Sequence, residues 1–108
     1  MLKVMIFHPA ISRKKEIAQI VSEAEAELRP KVERIRWELG QDWTGDWAIF
    51  LRVVLSDAVV RKRNWPKIAS EVEARILEKL PTDELGVIPY TRFRSQAETI
   101  EMPEKAWS

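Results

Sequence analysis

The stretch VERIRWELGQDWTGDWAIFLRVVL, residues 32–55, decides how this chain folds. In its first half Ile35, Trp37, Leu39 and Trp43 hold odd positions, while Arg34, Arg36, Glu38 and Asp42 hold even ones. A period of two places successive side chains on opposite faces, so this half predicts a strand with one wet face. The second half repeats the device. Trp47, Ile49, Leu51, Val53 and Leu55 are odd, and Phe50, Arg52 and Val54 are even.

Residues opposite one another in an antiparallel pair point the same way, so the loop between the halves must have odd length. A two-residue loop would set Trp43 against Asp46 and every apolar odd position against an even one. A three-residue loop, Thr44-Gly45-Asp46, pairs Trp43 with Trp47, Leu39 with Leu51 and Trp37 with Val53. A five-residue loop keeps the same parity. Gly45 or Asp46 suits the left-handed residue that such loops need. In the three-residue register Glu38 faces Arg52 and Arg36 faces Val54.

Outward from this hairpin, Ser12 to about Arg29 places Ile17, Ile20, Val21, Ala24 and Leu28 at steps of three and four, which predicts an amphipathic helix. Ser12 is its expected N-cap, and Pro30 lies beyond its end. Ser56 to Arg63 reads as a polar link. Asn64 is then expected to cap a second helix whose stripe is Trp65, Ile68, Ala69, Val72, Ile76 and Leu80, with Pro66 in the first turn and Pro81 at the stop. Gly86 to about Gln96 predicts a third strand from Val87, Ile88, Tyr90, Thr91 and Phe93, pushed toward a sheet edge or a late start by Pro89. Leu2 to Phe7 is a candidate short N-terminal strand. The last dozen residues keep Ile100, Met102 and Trp107, which suits a segment crossing back over the domain.

Assembled, the chain is expected to be a single α+β domain over residues 1–108. It is a two-layer sandwich of order α-β-β-α-β, an antiparallel hairpin with two helices packed on one face. The 108 residues are enough for one core, with 45% hydrophobic and 32% charged residues. Lys and Arg number 18 against 17 Asp and Glu, so the net charge of +1 supplies no global field for nucleic acid or membrane. The absence of cysteine removes disulfides, thiolate metal sites and thiol nucleophiles, and fits a cytoplasmic protein. The run Leu2–Phe7 is too short for a signal peptide or a membrane span.

The sequence carries little catalytic chemistry. His8 stands alone, without a serine or cysteine motif to make it a base. Glu38, Asp42, Asp46 and Asp57 are the densest carboxylates outside the helices, and a metal-dependent hydrolase on Asp42, Asp46 and Asp57 is the third reading of the chain. Asp46 beside Gly45 is what a hairpin turn uses in any case. No glycine-rich phosphate loop is present, and no cofactor, metal or small-molecule substrate is expected.

The even face of the sheet is the expected site. Arg34, Arg36 and Arg52 project there with Phe50 and Val54, and Tyr90, Arg92 and Arg94 on the third strand join them. Arginine mixed with aromatics on an open sheet holds single-stranded RNA through charge and stacking, and also makes protein interfaces. The simplest alternative is a face neutralised by Glu38 and covered by the chain's own termini. A second basic run, Arg61-Lys62-Arg63, sits at the wrong end of its helix to complement the dipole.

The α-β-β-α-β order resembles the type II KH arrangement. The run Gly45 to Asp57, followed later by Val87-Ile88-Pro89-Tyr90, is similar in placement to the ribosome-binding factor A family. The likeness is one of layout: the glycine-containing loop between helices that such RNA-binding folds use is absent here, so RNA binding is not taken from it. The leading expectation is a non-enzymatic adaptor that meets a protein partner or a second copy of itself through the even face or the third-strand edge. The alternative is a module for RNA or single-stranded DNA.

Overall fold

The 32–55 stretch folds as the antiparallel hairpin its alternation predicts. The computed structural model describes residues 8–97, and both the candidate strand at Leu2–Phe7 and nearly all of the C-terminal segment lie outside them. The elements run α1 (Pro9–Ser12), α2 (Lys14–Glu27), β1 (Val32–Gln41), β2 (Trp47–Leu55), α3 (Asp57–Val60), α4 (Trp65–Lys79), α5 (Thr82–Leu85) and β3 (Ile88–Ser95). The sheet order is β1-β2-β3, with β1 antiparallel and β3 parallel to β2. The segment from α3 to α5 is therefore a crossover, because parallel strands cannot be joined by a tight turn.

The odd residues face the helices. Ile35, Ile49, Leu51, Val53 and Leu55 are buried in one core with Ile17, Val21 and Ala24 of α2 and Ile68, Val72 and Ile76 of α4. Trp37, Leu39, Trp47 and Phe93 pack against that core while keeping partial exposure. Each fully buried leucine or isoleucine contributes about 1.5–3 kcal/mol relative to leaving it in water. This is the predicted two-layer α+β sandwich, with the described helices packed on one face.

The register differs from the three-residue reading by two positions. Gln41 pairs with Trp47, Leu39 with Ile49, Trp37 with Leu51 and Ile35 with Val53, so the loop is the five-residue alternative, 42–46. On the even face Glu38 lies opposite Phe50, and Arg36 opposite Arg52. The cause is Asp42. Its amide donates to Asp46 O at 2.8 Å, and its Oδ1 accepts from the amides of Thr44 (2.9 Å) and Asp46 (3.1 Å), so the chain closes one step earlier than a tight turn would. Gly45 supplies the left-handed residue at φ +90.

Several local readings are corrected by side-chain chemistry. Ser12 does not cap α2: it ends α1, where its hydroxyl donates to Pro9 O at 2.9 Å. His8 is the cap of that first turn, its Nδ1 accepting from Ala10 N at 3.2 Å. Asn64 occupies the N-cap of α4, yet its carbonyl takes the helix amides and its side chain caps nothing. The link after β2 contains α3, capped by Ser56 Oγ. Gly86 does not open the third strand: it ends α5 in the left-handed region, at φ +66. The strand starts at Ile88, and Pro89 sits on an edge strand as expected.

The edge of β1 away from β2 is guarded from α2. Glu25 Oε2 accepts from Ile35 N at 2.8 Å, so an edge amide that could template another strand is already taken. Across the helix layer, Glu27 of α2 accepts from Arg75 Nε at 2.6 Å and pairs with Lys79 Nζ at 2.9 Å on α4. No helix among the described residues is long and apolar enough to cross a membrane.

Candidate binding face

The side of the sheet away from the described helices is built from the even residues of three strands. Because Phe50 is in register with Tyr90, Arg52 with Arg92 and Val54 with Arg94, the two registers together define rows across the sheet. One row is Glu38–Phe50–Tyr90. The next is Arg36–Arg52–Arg92, and the third is Arg34–Val54–Arg94. All eight residues singled out from the sequence thus share one face.

Three guanidinium groups in a single row repel one another, and neighbouring strands are only about 4.8 Å apart. Among the described residues one carboxylate on the face offsets this: Arg52 pairs with Glu38 Oε1 at 3.2 Å, reaching diagonally to the next row. Arg13, Arg29 and Arg75 find their carboxylates elsewhere, on or between the helices. Arg36, Arg92 and Arg94 each make contacts of their own, and Arg36, Arg52 and Arg94 are half-buried, so the row is a held surface. Val54 is only 8% exposed although it faces away from the core.

At the hairpin end of this face the sequence reading missed a residue. Trp43, expected inward with the odd positions, belongs to the loop and is 81% exposed, the most open large apolar side chain among the described residues. Its ring lies 5.4 Å from that of Tyr90, which in turn stacks on Phe50 at 5.6 Å with 17° between planes. The missed signal was the loop length. A five-residue loop takes Trp43 out of the strand, and alternation no longer applies to it.

Asp42 fixes this aromatic end. Besides the loop amides its Oδ1 accepts from the Thr44 hydroxyl at 2.6 Å, and its Oδ2 accepts from the Tyr90 hydroxyl at 2.8 Å. The Thr44 hydroxyl, followed by Tyr90 and the Thr44 and Asp46 amides, holds the Asp42 carboxyl down at about 2. The same bond pushes the Tyr90 phenol up, because its proton is held by a carboxylate.

The candidate metal ligands are engaged in these and similar bonds. Asp42 spends its oxygens on the loop and Tyr90, Asp46 accepts from the Thr44 hydroxyl at 3.2 Å, and Asp57 accepts from Ala97 N at 3.0 Å. Asp42 and Asp46 sit at the hairpin tip, Asp57 at the far end of β2, and no group of three metal-ligating side chains occurs among the described residues. Single carboxylates that serve as turn and cap acceptors are what the structure shows. Among the described residues, one open cleft lies over Val60, Trp65 and Phe93 with Arg94 in its lining, and others lie between the hairpin tip and α5 and beside α3.

No family model, curated protein or solved structure matches this chain. The arrangement of the face itself therefore carries the functional argument.

Proposed function

We propose that the protein is a non-enzymatic binding module whose sheet face away from the described helices takes an anionic partner. The observation that carries this reading is the pair of arginine rows. Five guanidinium groups stand on one face, with Glu38 the carboxylate beside them among the described residues, in a chain whose overall charge is close to zero. Such a concentration of planar cationic forks on one face suits an anionic partner.

Self-association through this face is disfavoured by the same charges, since two copies would bring arginine rows together. A partner with its own negative charge is the better complement. Arg36, Arg92 and Arg94 exchange their present contacts for it, and their planar forks suit carboxylate or phosphate oxygens.

The test is the salt dependence of binding to a labelled heparin oligosaccharide, a polyanion without bases or apolar groups. Affinity should fall steeply as salt rises from about 50 to 200 mM. The double variant Arg36→Ala/Arg92→Ala should lose about ten-fold or more. Arg61→Ala/Lys62→Ala, in the basic run before α4, should change it little. Equal losses in the two double variants, or salt-insensitive binding, would contradict the reading.

A further inference from the structure

Beyond the anion face, we propose that the protein pairs with a second copy of itself along the outer edge of β1, residues 37–41 of each copy running antiparallel about a two-fold axis at Leu39. The backbone sets this window. The Asp42 amide points inward, to Asp46 O at 2.8 Å, whereas the Ile35 amide points outward, to Glu25 Oε2 at 2.8 Å. Successive residues of a strand turn their N–H and C=O groups to opposite edges, so Trp37, Leu39 and Gln41 present theirs outward. Among the described residues no hydrogen-bond partner meets these main-chain groups.

Glu25 closes the edge at Ile35, and the hairpin loop closes it beyond Gln41. An antiparallel copy centred on Leu39 fills what lies between. It sets Trp37 against the partner's Gln41 and Leu39 against the partner's Leu39, so every outward N–H meets a carbonyl while Glu25 keeps its bond. The amides alone would take any strand; the side chains select a second copy, because the window is its own complement. On the helix side Trp37 and Leu39 pack against the core with part of their surface open, and the two Leu39 side chains meet there. On the other side Glu38 falls opposite Gly40, so no like charges are directly opposed. A shift by two, centred on Trp37, would need the Ile35 amide and displace Glu25. The arginine rows of the two copies lie side by side in one sheet, and the anion face stays open. A window this short makes a weak dimer that forms only as concentration rises.

Sedimentation velocity of the full chain from about 10 μM to about 1 mM tests this. The parent chain should pass from monomer toward dimer across that range. Leu39→Lys and Leu39→Glu each place like charges on the axis and should weaken association about five-fold or more, whereas an equimolar mixture of the two should recover most of it. Gln41→Pro, which deletes one outward N–H and no bond to β2, should weaken it as well. Ile88→Lys, at an exposed position on the β3 edge, should leave it unchanged. A parent chain that stays monomeric at the highest concentration, a dimer that Leu39→Lys leaves intact, or a mixture no stronger than either charged variant alone would overturn the proposal. Loss of the dimer in Ile88→Lys would overturn it too, by moving the contact to the other edge.

Discussion

The Tyr90 hydroxyl donates to Asp42 Oδ2 at 2.8 Å, joining two residues 48 positions apart. This bond ties the last strand of the sheet to the loop of the first hairpin. It also links the aromatic end of the candidate face to the turn chemistry that sets the hairpin register.

Stability should fall in acid through Asp42. Its folded value of about 2 lies below the usual 3.8, so it contributes fully above the usual value and its contribution is lost as pH falls toward the folded one. The window is about pH 4 down to pH 2. In Asp42→Asn, urea midpoints measured across that window should decline less steeply than in the parent chain. Tyr90→Phe, which removes one of the acceptor's partners, should lower Tm by about 5–10 °C at neutral pH.

Two glycines of the hairpin separate backbone need from side-chain room. Gly45 has φ +90 with open space around it, so Gly45→Ala should cost about 1 kcal/mol from the backbone alone. A Cβ at Gly40 would meet Phe50 Cε2 at 3.5 Å, an ordinary contact, and Gly40→Ala should be near neutral. Urea unfolding of both variants checks the contrast.

Glu25 guards the edge of β1. Glu25→Ala leaves the Ile35 amide without its acceptor, at a cost of about 1–2 kcal/mol. The freed edge should also raise concentration-dependent aggregation, read by light scattering. Glu25→Gln keeps an acceptor and should restore most of both.

Thr91 carries a buried hydroxyl with no hydrogen-bond partner among the described residues. Replacing an unsatisfied polar atom by a methyl group of similar shape removes a desolvation cost, so Thr91→Val should raise stability by about 1 kcal/mol. Thermal unfolding measures it.

The period of two between Ile35 and Leu55 made the sheet legible, because one buried face leaves only one parity acceptable. It put Arg34, Arg36, Phe50, Arg52 and Val54 on one side, and Val87 to Phe93 suggested that Tyr90, Arg92 and Arg94 join them. What the pattern could not distinguish was a shift by two, which preserves every face. That choice rests on the Asp42 carboxylate and its bonds to Thr44 and Asp46, and it moved Trp43 from the expected core to the open end of the face. The short helices at 57–60 and 82–85 were also illegible, since a four-residue turn has too few positions to show a period.

The most direct test of the account is a side-chain NMR map of binding, following the arginine Nε–H signals as a heparin oligosaccharide is added to the full chain. The account predicts that Arg34, Arg36, Arg52, Arg92 and Arg94 shift together and saturate at one ligand concentration, while Arg75 on the helix layer stays put. Shifts confined to Arg61 and Arg63 ahead of α4, or to the helix layer, would contradict it.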